Sequence, residues 1–146
     1  MATIVVGVDG SAGSAEALRF ALTEARLRKA TVKAVTAWTL TYVAAPVGMM
    51  APIDDALIPE LRDNAKAVLD HAVAAAIGDA TDVTVETAVM EGSPAEVLVD
   101  AAQGADLLVV GTRGHGGFTG LLLGSVSQQA AHHAPCPIVI VPHPKG

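Results

Sequence analysis

Cysteine occurs once in these 146 residues, at Cys136, so neither an internal disulfide nor a thiolate metal cluster can form. Flanked by Pro135 and Pro137 at the entrance to an apolar run, Cys136 reads as a small buried hydrophobe rather than a redox thiol. Aromatic residues make up only 3%, and Lys plus Arg number 9 against 15 Asp plus Glu, a net charge of -6. A nucleic-acid surface needs a basic stripe and often stacking rings, so that class of partner is excluded. Hydrophobic residues reach 51% and the mean hydropathy is +0.48. Yet no uninterrupted apolar stretch attains the roughly 18 residues that span a bilayer, which excludes a membrane span and assigns the apolarity to a core. The opening Met1-Ala-Thr-Ile-Val-Val-Gly enters an apolar strand without a basic region and cleavable segment before it, which predicts a cytoplasmic protein. The length suits one domain over residues 1–146.

Five short apolar segments alternate with helical patterns, which predicts an α/β fold: an open, five-stranded parallel sheet with helices on both faces. The strands are expected over Thr3 to Val8, Thr31 to Trp38, Val83 to Val89, Leu107 to Val110 and Ile138 to Val141. Between the first two, Ala17, Leu18, Ala21, Leu22 and Ala25 share a helical stripe, and Arg26, Arg28 and Lys29 fill the last turn, where cations suit the helix dipole. Asp54 and Asp55 suit the cap of a second helix, whose Leu57, Leu61, Ala65, Val68, Leu69, Ala72 and Ala76 keep helical spacing until Gly78. Ser93-Pro94-Ala95-Glu96 reads as a capping box with proline at the first helical position, opening a third helix that ends near Gly104. A fourth runs from Ser125 to His133. Strands that are apolar throughout, the first, fourth and fifth, suit burial on both faces; Val83, Val85, Thr87 and Val89 alternate with polar neighbours, as on an edge. Tyr42 to Ile53 is long and apolar for a loop, and suits a lid, a partner surface or a cover for the core.

The most informative pattern lies after the fourth strand: Gly111-Thr-Arg-Gly114, nine residues, then Gly124-Ser125 before a helix. Glycines let a main chain approach an anion closely, and a helix N-terminus presents unpaired N–H groups and a favourable dipole, so the spacing reads as two jaws around a phosphate. The loop lacks the Lys-Ser/Thr ending of a P-loop, and the first strand-to-helix turn, Gly7-Val8-Asp9-Gly10-Ser11, is not Gly-x-Gly-x-x-Gly. In open α/β sheets ligands sit beyond the carboxyl ends of the strands, where the winding reverses. Should the first and fourth strands be neighbours, Asp9 faces the same crevice as the glycines. There it either accepts hydrogen bonds from a nucleoside or serves the turn and the helix cap; Gly114, Gly124, Ser125 and Ser127 would hold phosphates.

With these motifs the chain resembles the universal stress protein family over essentially its whole length. Gly111-x-x-Gly114, nine residues, Gly124-Ser125 fits that family's ATP-binding pattern, and Val6-Gly7-Val8-Asp9-Gly10-Ser11 fits its opening strand and acidic turn. The resemblance implies strand order 3-2-1-4-5, a Rossmann-like sheet that places the first and fourth strands together. It implies that Gly7, Val8, Asp9 and the backbone of Ala37 contact the nucleoside. Val110, Gly111, Arg113 and Gly114 would lie along ribose and phosphates, and Gly124, Ser125, Val126 and Ser127 would close over the phosphate chain. ATP is the implied occupant, with any magnesium or manganese held by its phosphates; cyclic AMP or another adenine nucleotide is the alternative ligand.

The strand order leaves the last strand, Ile138-Val-Ile-Val141, as an apolar edge, and a second copy of the chain packing there agrees with the homodimer the resemblance implies. Residues for dedicated catalysis are thin. Asp9, Glu91, Asp54 and Asp55 lack paired spacing, and Asp82 and Asp106 precede their strands and belong at the opposite end. A slow ATPase, or a protein that phosphorylates itself at a loop serine, is the catalytic alternative, and the chain reads first as a nucleotide-dependent regulatory module acting on an unidentified protein partner. Arg113 and His115 make the glycine loop locally basic; His71, His132, His133 and His143 carry no ligand spacing, Trp38 and Phe118 read as anchors, and Ser11, Ser14 and Ser93 read as caps.

Overall fold

A computed structural model of the chain describes residues 2–39, 43–44, 50–51, 57–80, 82–112 and 124–142. In chain order the elements are β1 (Thr3–Gly7), α1 (Ala12–Arg28), β2 (Thr31–Trp38), β3 (Val43–Ala44), β4 (Met50–Ala51), α2 (Ile58–Ile77), β5 (Val85–Glu91), α3 (Pro94–Ala101), β6 (Leu107–Gly111), α4 (Ser125–His133) and β7 (Ile138–Val141). Five strands form one parallel sheet in the order β5-β2-β1-β6-β7, the 3-2-1-4-5 arrangement that the family resemblance implied. The remaining pair, β3 and β4, is a two-stranded antiparallel ribbon inside the segment that the sequence suggested was loop. Strands of two residues are too short to show an alternation.

Each face of the sheet carries its own apolar layer. Ile4, Val6 and Val109 pack under α1 and Leu69 of α2; Val5, Val35, Leu108 and Val110 pack under Val97 and Leu98 of α3 and Ala130 of α4. The period-2 geometry of the strands divides these residues between faces, and β1 and β6, enclosed on both sides, are apolar at nearly every position. The stripe Ala17, Leu18, Ala21, Leu22 and Ala25 of α1 is wholly buried. Fully burying an aliphatic side chain is worth about 1.5–3 kcal/mol, so this stripe is a major anchor of its face.

Several expected boundaries move. β1 ends at Gly7, although the Val8 amide still donates to Val35 O at 2.9 Å. β5 lies two residues downstream of the alternating run, because pairing with β2 from Val32↔Val85 to Trp38↔Glu91 sets its limits. α2 begins at Ile58, with Leu57 at the N-cap position and no side-chain cap, and Asp54 and Asp55 lie outside the described residues. Ser93 holds the N-cap position of α3 without the capping-box bond, and that helix stops at Ala101. β7 is only half buried, as its edge position requires, rather than enclosed on both faces.

One close approach ties the layers together at the carboxyl end of the sheet. A methyl group on Gly111 would lie 2.9 Å from the carbonyl oxygen of Gly13, in the first turn of α1. Only glycine lets β6 and α1 meet this closely.

Candidate functional site at the carboxyl end of the sheet

β1 and β6 are neighbours, and the connections leaving them turn to opposite faces of the sheet. A crevice is expected where the winding reverses. A cavity of about 530 Å³ lies there, within the size range of small-molecule sites. Of the twelve residues the sequence pointed to, Gly7, Val8, Asp9, Ala37, Val110, Gly111, Gly124, Ser125, Val126 and Ser127 line it. Arg113 and Gly114 lie outside the described residues, as do His115, Phe118 and most of Tyr42 to Ile53.

The N-termini of α1, α3 and α4 border the cavity, and those of α1 and α4 differ. At α1 the backbone is satisfied internally: Ser11 Oγ accepts from the Ser14 amide at 3.1 Å, and Ser14 Oγ accepts from the Asp9 amide at 3.2 Å and donates to Ser11 O. Asp9 Oδ1 accepts from the Ser11 amide at 2.9 Å and from the Ser11 hydroxyl, an Asx-turn. Asp9 thus serves the turn while its exposed side chain also borders the cavity. At α4 the N-cap is Gly124, which has no side chain to offer, and the first-turn residues Ser125, Val126 and Ser127 line the cavity with no side-chain cap over them. An uncapped helix start is an anion site in waiting.

Thr112 holds the α4 jaw in place. Its carbonyl accepts from the Gly124 amide at 2.7 Å and from Ser127 Oγ at 3.1 Å, and its own amide donates to Val141 O at 3.1 Å, at the end of β7. Buried Ser127 also donates to Gly124 O, so its hydroxyl is structural. Among the described lining residues Asp9 is the sole charged one, so what these residues offer an anion is peptide N–H groups and the helix dipole.

The other end of the cavity is apolar. Val35 and Ala37 of β2, Ala65 and Val68 of α2, and Pro94 and Leu98 of α3 enclose it, joined by Thr36 and Asn64. Thr36 is buried, and its hydroxyl donates to Val8 O at 2.8 Å, pinning the turn after β1 to β2. No sequence motif marks Thr36, Asn64 or Leu98; Thr112 fills an unspecified place in Gly111-x-x-Gly114, and Pro94 reads only as a helix start. The signal for Thr36 is a polar residue inside an apolar strand, and for Pro94 the topology, which puts the start of α3 beyond the carboxyl end of β5.

The remaining chemical candidates stand elsewhere. Asp106 accepts from the Thr3 amide at 2.9 Å at the opposite end of the sheet. Asp82 pairs with Arg26 at 2.7 Å, and that hydrogen-bonded guanidinium lowers its carboxyl pKa. Burial, followed by the charge of Asp106, pushes the Cys136 thiol up, away from the reactive thiolate. Among the described residues no group of three or more His, Cys, Asp or Glu is placed to hold a metal, and no helix is long and apolar enough to cross a membrane.

A doubly wound α/β sheet with a crevice over its switch point defines the class of the molecule. A family model described as the universal stress protein family matches residues 1–142, and the chain belongs to that family. A universal stress protein of Mycolicibacterium smegmatis is 38% identical over 94% of this chain and 47% of its own. The chain spans about half the length of the curated relatives it matches. Among solved structures, the universal stress protein UspA from Lactobacillus plantarum has a TM-score of 0.72 at 24% identity, covering 96% of this chain and 97% of that one, a likeness of fold. A universal stress protein solved in complex with cAMP has a TM-score of 0.61 at 31% identity over 98% of both chains.

Proposed function

We propose that the chain is an adenine-nucleotide-binding regulatory module, with ATP as its ligand and without dedicated catalysis. The observation that carries this reading is the union, in one cavity, of the turn after β1, the end of β2, the end of β6 and the uncapped start of α4. Nucleoside would lie between Gly7, Val8, Asp9 and Ala37; phosphates would lie along Val110, Gly111, Gly124, Ser125, Val126 and Ser127, with Arg113 and Gly114 of the intervening loop alongside. The residues present suit that division, with peptide donors at one end and apolar walls at the other. A divalent ion such as magnesium or manganese would be carried by the phosphates. Cyclic AMP is a second reading, favoured by the 31%-identical relative solved in complex with it. The half-buried apolar edge β7 suits a second copy of the chain, and Thr112 bonds that edge to the α4 jaw, which offers occupancy a route to the dimer surface.

Titration calorimetry with ATP, AMP and cyclic AMP on the wild type and Ser125→Asp tests the reading. Position 125 is the exposed first residue of α4, where a carboxylate suits the helix dipole and leaves stability unchanged or slightly higher. The same charge repels a phosphate at that helix start, so ATP affinity should fall by about tenfold or more. Undiminished ATP binding by Ser125→Asp would remove α4 from the site, and equal affinity for ATP and cyclic AMP would favour the second reading.

A further inference from the structure

The polar side chains bordering the cavity are few, and nearly all are committed. Thr36, Ser14 and Ser127 hold backbone carbonyls or amides, and Asp9 closes its turn. Thr112 and Ser125 belong to the α4 end. Asn64 remains. It lies in the second turn of α2, which packs over β2 and β5, so it stands beside Ala65 and Val68 at the apolar end of the cavity, across from Pro94 and Leu98 of α3. Among the described residues its amide makes no hydrogen bond, although it is the one side chain at that end with both donor and acceptor capacity left over.

We propose that Asn64 is a specificity-determining residue that reads the edge of the bound base and selects adenine; the assignment rests on the adenine-nucleotide reading above. A primary amide sets a carbonyl acceptor beside an N–H donor. Adenine offers the complement on its N6/N7 edge, an exocyclic N6–H donor beside the N7 acceptor, and asparagine pairs with that edge bidentately in other recognition settings. On that edge hypoxanthine presents two acceptors, O6 and N7, so the amide keeps only one of its two hydrogen bonds. The apolar walls around Asn64 stack on any purine, so discrimination falls to the amide.

Calorimetric affinities of wild type, Asn64→Ala and Asn64→Asp for AMP, IMP and GMP test the assignment. The wild type should prefer AMP over IMP by about tenfold or more, and Asn64→Ala should bring that ratio down by at least about fivefold. Asn64→Asp accepts hydrogen bonds only: it keeps the N6–H bond of AMP and has nothing to donate to O6 or N7 of IMP and GMP, so AMP should remain preferred. Because residue 64 is exposed on its helix, both variants should fold. An AMP-to-IMP ratio equal in wild type and Asn64→Ala would overturn the assignment while leaving nucleotide binding intact. Failure of the wild type to bind ATP, AMP or cyclic AMP would instead overturn the nucleotide reading, and the role of Asn64 with it.

Discussion

Helices α1 and α2 lie on the same face of the sheet, yet α1 buries seven of its 17 residues whereas α2, with 20 residues, buries Leu69 alone. The reason is what each helix faces. α1 lies against β1 and β6, and at Gly13 it reaches backbone contact with Gly111. α2 lies over β2 and the edge strand β5, and its Asn64, Ala65 and Val68 face the 530 Å³ cavity; a second groove of about 460 Å³ runs between the two helices. Helical periodicity reports which side chains point inward, without saying whether protein or a void awaits them. Here α1 is scaffold and α2 is wall.

The largest expected effect that sharpens this contrast is Leu18→Ala in α1. Leu18 is 0% exposed, and its truncation should lower unfolding free energy by about 3 kcal/mol in urea titration. The two C-termini should differ next. α2 ends on Gly78 at φ 59° and ψ -127°, a conformation that strains any side chain, so Gly78→Ala should lose about 2 kcal/mol. Ser11→Ala removes the α1 cap and should lose about 1 kcal/mol, a change with no counterpart in α2, whose N-cap is Leu57. α1 ends on Lys29 at φ 56°, and Lys29→Gly should raise thermal stability by up to about 1 kcal/mol. Val68→Ala, at a position 40% exposed, should change stability by less than about 0.5 kcal/mol. A loss at Val68 as large as that at Leu18 would break the contrast between scaffold and wall.

A pH effect belongs to the end of α1. The guanidinium of Arg26 lowers the Asp82 pKa in the folded state, so the stabilisation is present above the unfolded value and lost as acidification carries the pH down through the folded one. Asp82→Asn should therefore flatten the acid side of the stability profile and leave the alkaline side unchanged.

The contrast also explains what could be read from the chain. The α1 stripe and the limits of β2, α4 and β7 were legible because continuous apolar runs and a 3.6-residue period are strong signals, whereas the sheet order came from the family resemblance. The start of α2 was not, since no side chain caps it, and the shift of β5 follows from pairing with β2 rather than from its own alternation. The glycines and serines around the cavity were visible by spacing. Asn64 was not, because one asparagine on a largely exposed helix looks like any solvated residue until the void in front of it is known.

Of the three glycines that line the cavity among the described residues, Gly111 and Gly124 carry different diagnostic weight. Gly111 is demanded by folding, since even a methyl would collide with the Gly13 carbonyl, and a descendant of this chain that had abandoned its ligand would still be held to glycine there. Gly124 sits at φ -66°, which any residue can adopt, so backbone conformation imposes no such obligation. In surveying related chains for retention of the ligand, position 124 is the informative column, and position 111 records little more than ancestry of the fold.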